Sequence, residues 1–502
     1  MAGDPGDGGL GGFGAGDGAN GDGMFGGGGD GLGGSIFVRS GGSLLIKGNA
    51  LFERNYVAGG STTSAFGEAG GAAGTDLFIM KGSNVRLAPG LGKVIQFDGT
   101  IADDSLATDG GYQNAAGDGA DIRIGGQGSG GLVIFNGANT YSGHTILEGA
   151  TLTALVGVGI NDASLIRFNG AGYIAPNLNT NKIDSAMSLD TVGTFLLQED
   201  YVRRAGMDPS ETAWTGSGGF ASSLVDGVTV NLGALDNQGR GQKLVWGQDG
   251  FFVPYDNGSG VNGVLTFGSE LSKGAVRFTN NVELNNKIAT VAVYNNGNLN
   301  TSSATLSGNW TNASGTTSTL VVGDSSVGSP YNGHLFMTGQ NSLDSLVVAG
   351  GVLSTYNADN PESNGKLMKS TGDLFVMADT DNIGATSRLD LFSDESLRHA
   401  TVLRGGVLTL TQTLTASGNM LNRGLVSILG ENTALLPEQV AAQLKPIYLP
   451  IGDNGFNQWE GSLVVGGAMT NQNTVVQAAN VQLGSLTNQG SWTAFGNTET
   501  TT

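Results

Sequence analysis

Cysteine is absent from this chain, and proline, histidine and charged residues are scarce. Among 502 residues there are no Cys, 10 Pro and 3 His, and 13% of the residues are charged. The lack of Cys excludes disulfides, thiolate metal sites and a cysteine nucleophile, and it suits export through an oxidising compartment where stray thiols cross-link. Gly is abundant at 88 residues, but without a strict three-residue period or abundant Pro it does not indicate collagen.

Long apolar runs and positive charge are also scarce. No apolar run reaches the roughly 18 residues that a transmembrane helix needs, and the opening MAGDPGDGGL has neither the basic nor the apolar region of a signal peptide. Lys and Arg total 23 against 43 Asp and Glu, which gives a net charge of −20. An acidic surface repels phosphate backbones, so we expect no nucleic-acid partner. The missing apolar run predicts no membrane-spanning segment in this chain, and no Lys/Arg cluster indicates binding to an anionic membrane surface.

Short strand-like runs make up most of what is present. Segments such as SIFVRS, TDLFIM, KVIQFDG and GLVIFNG are rich in β-branched and aromatic residues and are bounded by Gly, Asn, Asp or Ser. The runs follow one another too closely for helical crossovers between parallel strands. The sequence therefore predicts an all-β fold, either antiparallel sandwiches in series or a parallel β-helix.

Internal repetition favours the β-helix. The segments GLVIFNGANTYSGHTILEGATLTA and HLFMTGQNSLDSLVVAGGVLST share one skeleton, in which a strand is followed by Gly137 or Gly339 and then by Asn139 or Asn341. A coil whose turns, or rungs, have about 20 residues and about three short strands explains this skeleton, because each rung buries its inward side chains against its neighbours. We predict a right-handed parallel β-helix of roughly 20 rungs, which would make a rod about 100 Å long.

The domain organisation follows from where this pattern stops and restarts. Residues 1–34 are dominated by Gly and form either a flexible leader or a glycine-rich cap. The charged cluster at 183–214 is expected to be an insertion that forms a helix or a protruding loop. Pro437 and Pro446 delimit a short helix at 432–447. The remaining chain is assigned to the β-helix, in three stretches: 35–182, 215–431 and 448–502.

One stretch of the chain carries a recognisable motif. Its defining residues are Gly130, Leu132, Gly137, Asn139, Thr140, Tyr141, Gly143, Thr145, Ile146, Gly149 and Leu152. This pattern resembles the passenger-associated repeat of bacterial autotransporters, with looser copies at 261–284, 334–353 and 401–412. The preceding GGSIFVRSGGSLLIKGN is similar to β-helix segments of adhesin-like passengers. The resemblance implies an adhesin-like β-helix exported to the bacterial cell surface and attached to the outer membrane.

Nothing in the sequence marks a catalytic centre. The three histidines, His144, His334 and His399, lie outside any recognisable catalytic motif, and no Gly-x-Ser-x-Gly, His-Glu-x-x-His or Walker-type sequence occurs. A Gly-x-Gly-x-x-Gly match near the N-terminus is expected by chance in so glycine-rich a segment. We therefore predict a protein that is not an enzyme, and we assign no catalytic or cofactor-binding residues.

Pairs of acidic residues are the candidates for a catalytic site if the chain is an enzyme, because polysaccharide lyases and hydrolases share the β-helix. Asp103–Asp104 and Asp379–Asp381 are the tightest pairs, and glycosidases need two carboxyl groups about 5 to 9.5 Å apart. Asp in such turns more often bonds its own backbone. Calcium is the cation that Asp-rich turns suit, and its candidate ligands are Asp256, Asp379 and Asp381.

Three functional hypotheses remain open. The first is a non-enzymatic secreted or surface-anchored rod that mediates adhesion or matrix assembly, with host or neighbouring cells, a glycan or the matrix as partner. The second is a carbohydrate-active β-helix enzyme, which acidic side chains clustered along one groove would favour. The third is a structural subunit that assembles end to end into a surface filament or layer.

Overall fold

The computed structural model describes most of the chain. The described residues are 28–61, 69–105, 119–126, 128–234, 241–253, 263–298, 301–357, 360, 363–429, 462–477, 479–494 and 498–500. The predicted helix at 432–447 and the calcium candidate Asp256 lie outside them. All regular secondary structure in the described residues is β-strand. A helix long and apolar enough to cross a membrane is not found in this part of the chain.

The described residues form 45 strands. The first nineteen are β1 Gly31–Leu32, β2 Ile36–Val38, β3 Ser43–Ile46, β4 Ala50–Phe52, β5 Ala72–Ala73, β6 Leu77–Ile79, β7 Asn84–Leu87, β8 Val94–Phe97, β9 Ile101–Asp103, β10 Ile122–Ile124, β11 Leu132–Phe135, β12 Thr145–Leu147, β13 Thr151–Ala154, β14 Ile166–Phe168, β15 Ile174–Asn177, β16 Lys182–Ser185, β17 Gly193–Leu197, β18 Tyr201–Arg203 and β19 Thr212–Trp214. The others are β20 Gly218–Ser222, β21 Val228–Leu232, β22 Leu244–Val245, β23 Val264–Phe267, β24 Val276–Phe278, β25 Val282–Glu283, β26 Ile288–Val293, β27 Ser303–Leu306, β28 Trp310–Thr311, β29 Thr319–Val322, β30 His334–Met337, β31 Gln340–Val348, β32 Gly351–Ser354, β33 Lys366–Val376, β34 Ser387–Leu391, β35 Glu395–Leu397, β36 His399–Val402, β37 Gly406–Leu410, β38 Thr413–Ala416, β39 Met420–Asn422, β40 Leu425–Ile428, β41 Ser462–Asn471, β42 Thr474–Gln477, β43 Asn480–Asn488, β44 Ser491–Ala494 and β45 Thr498–Thr500.

The chain divides into two compact units. The first comprises residues 1–170, 189–199 and 206–214, and the second comprises 171–188, 200–205 and 215–502. In the first unit, one ladder of parallel strands runs β3–β7–β10–β12–β14–β19 and another runs β4–β8–β11–β13–β17. These are strands from successive rungs, stacked in the order in which the chain reaches them.

A third parallel ladder of the first unit runs β2–β6–β9, and the second unit likewise has three ladders. Strands β27, β28 and β29 form one of its rungs, and each pairs in parallel with the corresponding strand of the rung before it. One ladder of 11 strands runs β18–β21–β24–β27–β30–β32–β34–β37–β40–β42–β44. The predicted all-β parallel β-helix, with about three short strands per rung, is confirmed.

Inward side chains form continuous apolar columns. In the second unit Leu353, Leu389, Leu408, Val426 and Val475 are in register on neighbouring strands, and each is fully buried. Because side chains alternate across a strand, every second residue adds to such a column, and burying each Leu or Val contributes about 1.5–3 kcal/mol. The first unit has an equivalent buried column of Leu87, Ile124, Leu147, Phe168 and Trp214.

The length of a rung varies with the loops between its strands. In the second unit His334 pairs with Val352, 18 residues later. By contrast Leu425 pairs with Thr474, 49 residues later. The shortest rungs thus have the predicted length of about 20 residues, and the longer ones carry excursions out of the coil.

Asparagine side chains at a corner of the coil form hydrogen bonds from one rung to the next. In the second unit the Nδ2 of Asn422 donates to the Oδ1 of Asn471 at 2.8 Å, and Asn471 donates in the same way to Asn488 at 2.8 Å. The buried Asn422 amide also donates to the carbonyl of Thr474 at 3.0 Å. Since buried backbone groups require partners, each such asparagine fixes the register of one rung on the next.

The charged segment 183–214 contains strands and no helix. β17 pairs with β13 and β19 pairs with β14, so both belong to the ladders of the first unit. Their residues GTFLL and TAW are buried, whereas Glu199 and Asp208 are exposed in the turns between strands. The helical alternative for this segment is wrong, because its short apolar strands β17 and β19 pair with neighbouring strands of the coil.

Glycine-rich segments of the first unit pack backbone against backbone. The amide of Gly60 donates to the carbonyl of Gly29 at 2.7 Å, and the amide of Gly70 donates to Gly60 at 3.0 Å. A Cβ added to Gly70 would lie 2.0 Å from the oxygen of Gly29, so no larger residue fits there. The described part of the N-terminal glycine-rich segment begins at Gly28 and packs in this way, with β1 paired to β5.

Candidate functional site

The repeat motif of the first unit is mostly structural. Asn139 accepts a hydrogen bond from the backbone N–H of Ile101 at 2.6 Å and donates to the carbonyl of Gly159 at 2.7 Å, so it joins neighbouring rungs. The hydroxyls of Tyr141 and Thr145 are 2.7 Å apart, and both side chains are fully buried. These motif residues therefore complete the hydrogen bonding of polar groups inside the coil.

The residues between these motif positions line a cleft. Side chains alternate along an extended chain, so Ser142 and His144 face away from the interior that holds Tyr141 and Thr145. The cleft has a volume of about 340 Å³, and we call it the polar cleft. Its lining segments precede β7, β10, β12, β14 and β19, which are successive strands of one ladder. The polar cleft therefore lies at one corner of the coil and is lined by equivalent positions of several successive rungs.

His144 and Asp121 lie side by side at the centre of the polar cleft. Asp121 Oδ1 accepts the backbone N–H of His144 at 2.9 Å, and His144 Nδ1 lies 3.4 Å from the same oxygen. Burial alone would raise the pKa of Asp121, but hydrogen bonds from His144 and the charges of His144 and Arg167 hold this pKa below its usual value. The exposed fractions of the two side chains are 41% and 38%, so both are accessible to a ligand.

Two serine hydroxyls in the polar cleft have no hydrogen-bond partner within the described residues. They are Ser83 Oγ and Ser142 Oγ, and both atoms are buried. A buried polar atom without a partner costs about 1–3 kcal/mol, so a water molecule or ligand that enters the cleft and bonds these hydroxyls removes that cost. Because Ser142 Oγ is not bonded to His144, this imidazole does not activate it as a nucleophile in the observed arrangement.

The acidic pair Asp103–Asp104 supports the turns beneath the polar cleft. Asp103 Oδ2 accepts the backbone N–H groups of Ala120 at 3.1 Å and Ser142 at 2.8 Å. Asp104 Oδ1 accepts the backbone N–H of Lys81 at 2.9 Å. Both carboxylates are buried. They bond the backbone, as Asp residues in turns commonly do, and neither lines the cleft.

The second acidic pair, Asp379–Asp381, lies on a different corner, in the second unit. Asp379 Oδ1 accepts the backbone N–H of Asp381 at 2.9 Å, and Asp381 Oδ2 is 2.8 Å from the Nζ of Lys182. The lysine ammonium thus already supplies the positive charge that a calcium ion would bring. The described residues contain no group of three or more His, Asp or Glu side chains placed to hold a metal ion.

The antiparallel hairpin of β15 and β16 covers this corner. Ser185 donates to Asp324 at 2.5 Å, and Asn181 donates to the carbonyl of Arg404 at 3.2 Å. These partners follow β29 and β36, which are three steps apart in one ladder. The distance across three rungs is about 14 Å, and the four residues from Asn181 to Ser185 span about the same length when extended. β16 therefore runs parallel to the direction in which the rungs stack. We call this region the hairpin corner.

A buried glutamate lies at the start of β35. Glu395 accepts the backbone N–H groups of Leu367 at 2.6 Å and Met368 at 3.1 Å, beside an irregular stretch of pairing between β31 and β33. Burial raises the pKa of Glu395 to about 7, despite these two hydrogen bonds. Its side chain is 1% exposed, so it supports the irregular ladder and does not face solvent.

The remaining histidines and several tryptophans have structural positions. His334 is buried in β30, and burial lowers its pKa to about 4. The Nδ1 of His399 accepts the backbone N–H of Asn419 at 2.9 Å. Three tryptophans belong to the buried core: Trp214, Trp246 and Trp310. These three therefore offer no exposed aromatic platform.

Comparisons with known proteins find no relative, so the class of this protein is defined by its fold. No protein-family model, no curated protein and no solved structure matches the chain. The chain is a parallel β-helix protein whose first unit carries a polar cleft along one corner. The resemblance of its repeat to those of autotransporter passengers stays a prediction.

Sequence reasoning missed this cleft. It treated His144 only as one of three histidines without a catalytic context, and it did not single out Ser83, Asp121 or Ser142. The missing signal is the register between rungs: Ile122 pairs with Thr145, 23 residues later, and this pairing sets Asp121 beside His144.

Proposed function

We propose that this chain is a non-enzymatic β-helical protein, secreted or anchored at the bacterial cell surface, that mediates adhesion or matrix assembly. The observation that carries the proposal is the polar cleft, where exposed ionisable groups lie beside hydroxyls that have no partner within the described residues. On such a scaffold, specific contacts are made by the groups displayed at corners and loops.

The arrangement of carboxylates favours binding over catalysis. A glycosidase needs two carboxyl groups that face one sugar ring, and Asp121 is the one acidic residue among the described residues that line the cleft. The acidic pairs Asp103–Asp104 and Asp379–Asp381 are engaged by backbone groups or by Lys182. We therefore favour adhesion over the carbohydrate-active enzyme.

The test is attachment of the purified chain to surfaces. Fluorescently labelled protein is added to bacterial cells, to epithelial monolayers and to polysaccharide-coated plates, and light scattering follows its mass with and without calcium. We expect saturable attachment by monomeric protein. Release of sugar products from the polysaccharides would favour the enzyme instead, and growth into fibres without attachment would favour the self-assembling subunit.

A further inference from the structure

We infer that the polar cleft binds a neutral sugar residue. The inference rests on the proposed function and names the class of ligand that this corner would take. Its volume of about 340 Å³ lies at the small end of ligand sites, which span about 300–1,000 Å³. A cleft of this size holds one or two sugar rings.

The hydrogen-bonding groups of the polar cleft match a polyol. Ser83 and Ser142 hydroxyls each donate and accept, Asp121 accepts, and the exposed imidazole of His144 offers one donor or acceptor nitrogen. Neighbouring hydroxyls of a sugar ring also donate and accept at once. Such a ligand would complete the bonding of both buried serine hydroxyls, which have no partner in the described part of the chain.

The cleft also has a short apolar side. Ala163, Leu165 and Pro209 come from the rungs that follow His144, and they line the same cavity. A sugar ring has a C–H face beside its polar edge, so the combination of an apolar wall with a few placed polar groups suits it. A purely polar ligand such as an inorganic ion would leave this wall unused.

Charge favours a neutral sugar over an acidic one. The carboxylate of Asp121 lies within the cleft, and the chain as a whole carries a net charge of −20. Both repel a uronic acid or a sulfated sugar. Lys81 is the one Lys or Arg side chain among the described residues that line the cleft, and it does not reverse this field.

The three histidines make the inference directly measurable. With 13C label at the imidazole ε1 position, the intact chain gives one signal each from His144, His334 and His399, and the His144→Gln variant assigns the first. Methyl glycosides of glucose, galactose, mannose and N-acetylglucosamine are titrated, followed by glucuronate as an acidic counterpart. His334 is buried and His399 lies in the second unit, so both serve as internal controls.

We expect at least one neutral glycoside to shift the His144 signal saturably while the other two signals stay still. Ser142→Ala should weaken this binding about fivefold or more, because it removes one hydrogen bond to the ligand. Lys182→Ala, at the hairpin corner, is the matched control and should bind as the parent does. Unchanged His334 and His399 signals in each variant show that the coil is intact.

The inference is overturned if none of the four glycosides moves His144, if glucuronate binds more tightly than all of them, or if Ser142→Ala binds equally well. Its failure is distinguishable from failure of the proposed function. Attachment to cells without a His144 response would leave adhesion standing and remove the cleft as its site. A His144 response without attachment to any surface would do the opposite.

Discussion

The polar cleft and the hairpin corner are both built from turns between successive rungs, yet their serine hydroxyls differ in how fully they are hydrogen-bonded. At the hairpin corner, Asp324 accepts from Ser185, and Asp381 faces Lys182. At the polar cleft, Ser83 and Ser142 keep buried hydroxyls without partners in the described residues. The chain covers one corner with its own hairpin and leaves the other open to a ligand.

This difference separates structural groups from binding groups better than residue type does. Both corners contain Asp and Ser, and both lie beside parallel ladders. What differs is whether the serine hydroxyl is hydrogen-bonded within the described residues, as that of Ser185 is and that of Ser142 is not. Substitutions that remove used and unused groups should therefore have very different effects on stability.

The largest effect is expected from Asp103→Ala, beneath the polar cleft. The buried carboxylate accepts the backbone N–H groups of Ala120 and Ser142, and its loss leaves buried donors without an acceptor. We expect the free energy of unfolding to fall by about 3–5 kcal/mol, as measured by urea denaturation. Asp121 also accepts a backbone N–H, that of His144, but its side chain is 38% exposed. Water can take its place, so Asp121→Ala should lower the free energy of unfolding by less than about 1 kcal/mol. Equal losses would contradict the distinction.

Glu395, in the second unit, tests how a buried carboxyl group affects stability as the pH changes. Its pKa is about 7 in the folded protein, whereas an unfolded glutamate has a pKa of about 4.3. Between these values the folded state binds more protons, so the free energy of unfolding falls as the pH rises, by about 4 kcal/mol in total. In Glu395→Gln this slope should disappear. Compared with the parent, the variant should therefore gain stability at pH 8 relative to pH 5. Urea midpoints across this range give the measurement.

His334 provides the opposite slope as a control. Its pKa is about 4 when folded and about 6.5 when unfolded. The unfolded state therefore binds more protons between these values, and this contribution to the free energy of unfolding rises with pH. His334→Gln should remove the loss of stability on acidification and leave the slope of Glu395 visible. A parent and two variants with identical pH profiles would show that neither group titrates as described.

A smaller effect is expected from comparing two serines. Ser185→Ala removes a donor to the fully buried Asp324 and should lower the free energy of unfolding by about 1–2 kcal/mol. Ser142→Ala removes a hydroxyl that has no partner in the described residues and should change it by less than about 0.5 kcal/mol. Thermal and urea unfolding of both variants test this, and a loss at Ser142 as large as that at Ser185 would refute it.

The smallest effect is expected from Lys182→Ala. The side chains of Lys182 and Asp381 are 53% and 60% exposed, so water and salt screen their attraction. We expect a slight lowering of the unfolding midpoint at low ionic strength and none at about 1 M salt, where screening is nearly complete. A large loss that persists at high salt would mean that the hairpin depends on this ion pair.

The fold was predictable because its signals are local. Alternation in strands such as LVIF and the Gly-Asn corners around Asn139 and Asn341 repeat within about one rung, so they can be recognised without any knowledge of distant contacts. The helical alternative at 183–214 failed for the converse reason. Its charges drew attention, although the apolar strands β17 and β19 between them decide the structure.

The polar cleft was not predictable in the same way. Ser83, Asp121 and His144 come from different rungs, and they meet only because the strands that follow them stack in register. The spacing between them depends on the length of each excursion, which is not a local property of the sequence. For the acidic pairs, the preference of Asp for bonding turn backbone predicted the roles of Asp103 and Asp379.

The asparagine corners have a consequence for how such a chain changes over time. Because Asn422, Asn471 and Asn488 form the same bond from each rung to the next, a duplicated rung would bring its own connection and fit between its neighbours. The molecule can therefore gain or lose whole turns by unequal recombination without redesigning its interior. Length then becomes a heritable variable that evolves separately from the chemistry displayed at the open corner.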